Sequence, residues 1–197
     1  WIPSEDIEII ANFDFIHSVH PPDYGTFNSS LVNVDGGDEL SLLPAGGEFD
    51  IDGSGVRVGV ISGGVKNLPD TVERSDLPGG ILETGSCATP GCDEGTLMLD
   101  VLYATAPGVT AGFCAPGPTL TTLSFINCVT WLTHTFDADV IVDDVVFVAP
   151  PYFEDGMVAQ TVAQTVASGV TYVSTAGNFA QWHYEADFVE NVDFTGI

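Results

Sequence analysis

Basic residues are nearly absent from this chain, whose 197 residues include 3 Lys and Arg against 28 Asp and Glu, for a formal net charge of -25 at pH 7. Three cations cannot build the positive surface that a phosphate backbone or anionic lipids require, so nucleic-acid binding and electrostatic membrane docking are excluded. The chain also lacks an apolar run near the ~20 residues that cross a bilayer, so the sequence predicts no membrane span.

Charged residues of both signs are few as well, at 16% of the chain, whereas 45% of its residues are hydrophobic. The acidity therefore reflects missing Lys and Arg rather than an added acidic tail. A chain of this length buries roughly 70% of the surface that its unfolded form exposes. We therefore expect a folded, anionic domain rather than a disordered one.

The four cysteines fall into two pairs that are close in sequence, Cys87 with Cys92 and Cys114 with Cys128. Together with a single glycosylation sequon at Asn28, they favour two disulfides and a secreted, extracellular protein, with four free buried thiols as the alternative. Zinc is disfavoured because no second short Cys/His pair accompanies the first. The chain starts without Met or a basic leader segment, so we expect it to be processed or partial.

The organisation of the chain changes near residue 53. Residues 1–52 carry turn signals about every ten residues and predict an irregular N-terminal extension, such as a propeptide remnant or an assembly arm. Residues 53–197 form the predicted domain, which we expect to be partial. The predicted strands span 56–61, 109–114, 138–144 and 170–174, and the predicted helices span 95–105, 121–136 and 155–168. This alternation predicts an α/β fold with a parallel sheet and a site at the carboxyl ends of its strands.

Three stretches at those strand and helix ends resemble the motifs of subtilisin-like serine peptidases. Residues 53–64 are similar to the first catalytic strand of that family, and Asp93-Glu94-Gly95-Thr96 resembles its His-Gly-Thr motif at a helix start. Ser174-Thr175-Ala176-Gly177-Asn178 resembles its Ala-Ala-Gly-Asn turn, whose Asn helps to hold the oxyanion. The resemblance covers about residues 53–178. It implies a three-layer subtilisin-like fold with a mainly parallel sheet, without the C-terminal part that would carry the catalytic Ser.

The catalytic residues of that family are largely missing here. The first strand is followed by Ser62, Gly63 and Gly64, so it lacks the acid that orients the catalytic His. Glu94 stands at the His position, and a Gly-Thr-Ser motif occurs nowhere in the chain. We therefore expect a catalytically inactive domain with a structural or assembly role, partnered by further copies or by the remainder of the same precursor.

Sedolisins, the serine-carboxyl peptidases of the same fold, provide the alternative because they also place a Glu at the His position. A Glu serves as a base when a second carboxylate shares its proton. The sedolisin partner lies one helical turn later, where this chain has Met98, and Asp100 lies roughly 240° around the helix from Glu94. If Glu94 has a partner, Asp144 is the better candidate, because its strand end is expected to border the same cleft. The alternative is thus an endopeptidase that cleaves peptides with Glu94 as base, Asn178 as oxyanion donor and a Ser beyond this chain.

These residues also have structural interpretations. Acids are favoured at helix starts, and Asp93 is a candidate N-cap. Asp143 and Asp144 are adjacent in a strand, so we expect only one of them to face the cleft. Asn178 tolerates the left-handed conformation of a tight turn.

The segment Asp50-Ile51-Asp52-Gly53-Ser54-Gly55 has the look of a calcium loop but lacks the remaining ligands, so we interpret it as a turn into the first strand. No cofactor is otherwise indicated, and Ca²⁺ is the one that the sequence leaves open. A calcium-binding or partner-binding module is accordingly a third class of function.

Overall fold

The architecture follows the alternation of strands and helices that the sequence predicts. The computed structural model describes residues 3–16, 18–19, 23–27, 51–73, 77–85, 92–149 and 154–179. Its elements are the 3-10 helix η1 (Ser4–Asp6), α1 (Ile7–Ala11), β1 (Gly25–Phe27), β2 (Arg57–Ile61), α2 (Leu68–Glu73), β3 (Leu82–Thr84), α3 (Glu94–Thr105), β4 (Thr110–Cys114), α4 (Thr122–His134), β5 (Val140–Asp143), β6 (Val145–Phe147), α5 (Met157–Ala167) and β7 (Thr171–Ser174). Every predicted strand and helix is present, with ends shifted by one or two residues.

Five of the strands form one parallel sheet in the order β3-β4-β2-β5-β7. The central strand is β2, whose Ile61 lies opposite Cys114 of β4 on one side and Asp143 of β5 on the other. Its β-branched residues are buried because parallel sheets are covered on both faces. The chain therefore has an α/β fold with a parallel sheet, as predicted, and the carboxyl ends of all five strands lie along one edge.

Helices α4 and α5 cover one face of the sheet, which we call the α4 face. Gly59 and Gly112 lie opposite each other in the register of β2 and β4. A Cβ at Gly59 would meet Leu132 at 2.8 Å, and one at Gly112 would meet Phe136 at 2.7 Å. The glycine pair thus allows α4 and the residues after it to pack directly on the sheet. The core of this face consists of Ile61, Cys114, Leu120, Phe125, Cys128, Val129, Leu132, Phe136, Ala138, Ile141, Val145 and Val170.

Helices α2 and α3 cover the opposite face, which we call the α3 face. Its core is smaller and consists of Val60, Leu68, Leu77, Leu99, Ala111, Phe113 and Ala115. Val60 and Ile61 are consecutive in β2 and belong to different cores, as the alternation of side chains along a strand requires. The sheet therefore separates two hydrophobic cores.

A capping box and a disulfide fix the position of α4 on the α4 face. Thr121 and Ser124 form a reciprocal capping box at the start of α4. Cys114, at the end of β4, forms a disulfide with Cys128 of α4, as predicted. Cys92 is also disulfide-bonded, but Cys87, the other half of the predicted pair, lies outside the described residues.

The guanidinium group of Arg57 binds groups within the domain. Its Nε donates hydrogen bonds to the carbonyl oxygens of Phe136 at 2.8 Å and Asp137 at 3.1 Å, and its guanidinium carbon lies 4.5 Å from the centre of the Phe136 ring. Its backbone N–H donates to the carboxylate of Asp139 at 2.8 Å. Arg57 therefore ties the start of β2 to the link between α4 and β5.

Part of the N-terminal extension packs on the domain. β1 pairs with β6 in an antiparallel ladder that places Gly25 opposite Phe147. Next to this ladder, the N–H of Gly25 donates to the carbonyl oxygen of Leu120 at 3.2 Å. The interpretation of 1–52 as irregular is therefore wrong for 4–11, which are helical, and for 25–27, which form a strand. The domain boundary at residue 53 stays a prediction. Among the described residues, no helix is both long and apolar enough for a membrane crossing.

Candidate functional site

The candidate site lies at the carboxyl edge of the sheet, where β2 and β5 end side by side. Ile61 lies opposite Asp143, so the next residue on each strand, Ser62 and Asp144, are also neighbours. The Ser62 hydroxyl donates a hydrogen bond to Oδ2 of Asp144 at 2.8 Å. Ser62 is 0% exposed and Asp144 is 8% exposed. The register of the sheet thus produces a buried hydroxyl–carboxyl contact.

The start of α3 is brought to the same edge by Gly95. The N–H of Gly95 donates to the carbonyl oxygen of Gly64 at 2.9 Å. A Cβ on Gly95 would lie 2.7 Å from that oxygen and would collide with the ring of Phe113. Only glycine allows this approach, which holds Glu94, the first residue of α3, beside the loop that follows β2.

Asp144 interacts electrostatically with Glu94. The pKa of Asp144 is raised from 3.8 to about 7, and burial is the largest cause. The hydrogen bond from Ser62 acts in the opposite direction, while the negative charges of Glu94 and Asp143 raise this pKa further. A carboxyl group with such a pKa exchanges its proton near neutral pH, which an ordinary exposed carboxyl group does not do. The expected pair of Glu94 and Asp144 is therefore placed within electrostatic range, and its catalytic role stays a prediction.

Asp143, the preceding residue, has different surroundings. Its Oδ1 accepts hydrogen bonds from the N–H of Val145 and from the hydroxyl of Ser174, both at 3.0 Å. Burial raises the pKa of Asp143, and these hydrogen bonds oppose the rise. The hydroxyl of Tyr172 lies buried nearby, and its pKa is raised by burial and by the charge of Asp143. The two acids thus have separate sets of neighbours, as the alternation along a strand predicts.

Asp93 occupies the N-cap position of α3, as predicted, but its side chain accepts no hydrogen bond from a backbone N–H of that helix. Its carboxylate accepts hydrogen bonds from the Thr96 hydroxyl and from the backbone N–H of Asn67, each at 2.7 Å, and from the side-chain amide of Asn67. Asp93 therefore links the loop before α2 to the start of α3. This gives it a structural role beside Glu94.

Asn178 lies in the turn after β7 and is exposed. Because β7 is parallel to β5 and adjacent to it, this turn lies at the same edge of the sheet as Asp144. The left-handed residue of the turn is Gly177, with φ 79°, whose N–H donates to the Thr175 hydroxyl at 3.0 Å. The interpretation of Asn178 as the left-handed residue is therefore wrong, and its oxyanion role stays a prediction.

The suggested calcium loop forms a turn over its described residues. The carboxylate of Asp52 accepts a hydrogen bond from the N–H of Ser54 at 2.8 Å, and hydrogen bonding to Ser54 lowers the pKa of Asp52. Gly53 and Gly55 have φ angles of 83° and 86°. Asp50 lies outside the described residues. Over the part of the chain that is described, no group of three or more His, Cys, Asp or Glu side chains could hold a metal ion.

A pocket of about 170 Å³ opens beside the start of α3. Its lining includes Gly64, Lys66 and Cys92. Gly64 also accepts the hydrogen bond of Gly95, so the pocket borders the segment that positions Glu94. Neither Glu94 nor Asp144 lines this pocket, so it neighbours the start of α3 without containing the two carboxyl groups.

Ser62 is the residue of this site that the sequence did not assign a role. In the sequence, Ser62 stands out only because it follows the first strand, where subtilisin-like peptidases have the acid that orients the catalytic His. The signal that could have found it is positional, because Ser62 and Asp144 each directly follow a strand and those strands are paired.

No protein-family model matches the chain, and no curated protein matches it at a significant level. The residues and their arrangement define an α/β, parallel-sheet domain with two interacting carboxyl groups at the carboxyl edge of the sheet.

Proposed function

We propose that this chain supplies the acid–base carboxyl pair of a serine-carboxyl endopeptidase with a subtilisin-like fold. Glu94 is the general base, Asp144 shares its proton, and Asn178 donates a hydrogen bond to the oxyanion. The nucleophilic Ser is supplied by sequence outside this chain. The observation that carries the proposal is the buried carboxyl group of Asp144, whose pKa is raised to about 7 beside Glu94.

Two interacting acids at a buried edge favour a catalytic role over a purely structural one. A structural site gains most from pairing an acid with a base or with several hydrogen-bond donors, as Asp143 is paired with Val145 and Ser174. Placing Glu94 beside Asp144 instead raises the free energy of the doubly ionised pair. Burial is the largest cause of the raised pKa of Asp144, and the charge of Glu94 adds to it. Carboxyl groups perturbed by burial together with a nearby charge are typical of functional sites.

The chemistry that follows is acyl transfer. The Ser hydroxyl gives its proton to the Glu94 carboxylate while its oxygen attacks the peptide carbonyl carbon. Asn178 stabilises the negative oxygen that forms. The C–N bond then breaks, the amine leaves with the proton held by Glu94, and water releases the acyl group by the same route. Asp144 stabilises Glu94 in each state by sharing a proton with it.

The test is a fluorophosphonate probe applied to the full-length protein, since this probe labels only activated serines. We expect labelling in the wild type and a loss of at least about 100-fold in Glu94→Gln and Asp144→Asn, the size of a general-base effect. Asp100→Asn, a matched carboxyl-to-amide change on the same helix, should retain labelling. No labelling at any pH from acidic to neutral, or an equal loss in Asp100→Asn, would contradict the proposal.

A non-catalytic assembly role is the second candidate, and exposed apolar side chains near the N-terminus favour it. Ile9 is 62% exposed and Phe15 is 74% exposed, and the ring of Phe15 stacks on Phe13 with centroids 5.3 Å apart. Clusters of this kind are typical of protein interfaces. The partner would be a second copy or the remainder of the same precursor, in a secreted protein whose disulfides form in an oxidising compartment.

Sizing of the protein at high concentration, with and without calcium, tests the assembly role. We expect an oligomer that is lost in the double variant Phe13→Ser/Phe15→Ser. Leu123→Ser, which removes an exposed apolar side chain on α4, is the control and should keep the oligomer. A monomer under all conditions counts against assembly.

A further inference from the structure

Ser62 is fully buried, and its hydroxyl is committed to Asp144. It is 0% exposed, and the hydrogen bond from its Oγ to Oδ2 of Asp144 is 2.8 Å long. A hydroxyl without solvent access cannot reach a peptide carbonyl, so Ser62 is not a nucleophile. A buried polar side chain with one partner instead acts on that partner.

We propose that Ser62 is a positioning residue, whose hydroxyl holds the Asp144 carboxyl in place against Glu94 and stabilises its ionised form. Its part in catalysis rests on the proposed function, whereas its effect on Asp144 does not.

The physical basis is a balance of opposing effects on one carboxyl group. Glu94 on α3 and Asp143 on β5 are the charged groups that act on Asp144, and both favour its protonated form, as burial does. The hydrogen bond from Ser62 favours the carboxylate, because a donor hydroxyl stabilises negative charge. Ser62 therefore keeps Asp144 able to exchange a proton near neutral pH, where burial and like charge alone would keep it protonated.

The chain contains a matched control for this contact. Ser174 donates its hydroxyl to Oδ1 of Asp143 at 3.0 Å, a serine–aspartate pair built from the two neighbouring strands β5 and β7. Removing either hydroxyl is the same chemical change, but each removal acts on a different acid.

Carbon-13 NMR titration of the Asp carboxyl groups in this chain tests the proposal. Ser62→Ala should raise the titration midpoint of Asp144 by roughly 1 to 2 pH units, the effect of losing a hydrogen bond to a charged group. Ser174→Ala should shift the midpoint of Asp143 and move that of Asp144 much less than Ser62→Ala does, because Asp143 acts on Asp144 only through its charge. An unchanged Asp144 midpoint in Ser62→Ala, or an equal Asp144 shift in Ser174→Ala, would overturn the proposal.

A second pair of variants covers the case in which Ser62→Ala does not fold. Ser62→Thr and Ser62→Val have nearly the same side-chain volume and differ in the hydroxyl group. Asp144 should titrate higher in the Val variant than in the Thr variant, and equal midpoints would overturn the proposal.

The titration also separates this inference from the proposed function. Glu94→Gln tests the carboxyl pair directly and should lower the Asp144 midpoint, because a negative charge is removed. If the full-length protein gives no fluorophosphonate labelling, the peptidase fails while a shift in Ser62→Ala still supports the role of Ser62. If labelling occurs, its pH profile should move in Ser62→Ala in the same direction as the Asp144 midpoint.

Discussion

Two consecutive buried acids lie on opposite sides of the sheet at the same edge and have different neighbours. Asp143 and Asp144 are consecutive and are 3% and 8% exposed. Asp143 accepts hydrogen bonds from a backbone N–H and a hydroxyl, whereas Asp144 accepts one from Ser62 and interacts with the charge of Glu94. Burial is thus common to both acids, and the groups that surround them differ.

The same division holds for the packing of the two faces. Among the described residues, the α4 face has the larger core and the Gly59–Gly112 contact with α4. The α3 face has the smaller core, and its helix begins at the candidate site. Among the described residues, the α4 face is therefore the more extensively packed one, and the start of α3 lies at the edge that carries Glu94 and Asp144.

The largest effect is expected from Leu132→Ala on the α4 face. Leu132 is 0% exposed and packs against Gly59, so its truncation should cost about 2–5 kcal/mol of unfolding free energy. Leu123→Ala is the control on the same helix, since that side chain is 59% exposed and should cost less than about 0.5 kcal/mol. Urea unfolding measures both. Equal losses would show that α4 does not pack as described.

The second prediction concerns Asp144, on the α3 side of the sheet. The substitution Asp144→Asn should change how the free energy of unfolding depends on pH. The pKa of Asp144 is about 7 in the folded protein against 3.8 ordinarily, so the folded state binds the extra proton between these values. The stabilisation that this extra proton gives the folded state is fully present below about pH 4. It is lost as the pH rises through 7, which lowers the free energy of unfolding by up to about 4 kcal/mol. Asp144→Asn should therefore gain stability relative to the wild type over this range.

Thermal or urea unfolding of the wild type and Asp144→Asn at matched pH values measures this difference. Asp100→Asn serves as the control and should follow the wild-type curve. If the Asp144→Asn and wild-type curves are parallel from acidic to neutral pH, the assignment of the raised pKa is wrong.

The smallest effect is expected from Gly95→Ala at the start of α3. The added Cβ would lie 2.7 Å from the carbonyl oxygen of Gly64, so the helix must shift, at a cost of about 1–3 kcal/mol. The better helix propensity of Ala offsets part of this cost. The shift moves Glu94, so the titration midpoint of Asp144 should also change. At Gly79, where a Cβ would meet only Val72, at 3.7 Å, among the residues that the structure describes, the change to Ala should alter neither property.

The fold was largely predictable because most elements are long enough to show a pattern. The β-branched run before Ser62 and the apolar spacing in 121–136 predicted β2 and α4 with small end shifts. The missed elements, such as β3 and β6, are three residues long and have no resolvable periodicity. The pairing of β1 with β6 joins distant segments, which local patterns do not encode.

The candidate site was predictable in part. The alternation of side chains at the end of β5 predicted that one acid would face the cleft, and helix geometry favoured Asp144 over Asp100 as the partner of Glu94. The contact between Ser62 and Asp144 depends on the register of β2 and β5, which the sequence leaves open. The role of Gly95 depends on the approach of α3 to Gly64, and that approach is set by tertiary packing.

The hydrogen bonds of Arg57 restrict its cleavage by trypsin. Trypsin cuts only after Lys and Arg, of which the chain has 3 in total. Lys66 is exposed in the loop after β2, so cleavage there does not require the sheet to open. Arg57 binds the carbonyl oxygens of Phe136 and Asp137, so cleavage after it requires the start of β2 to separate from the end of α4. The ratio of the two cuts under native conditions thus measures local opening of the sheet.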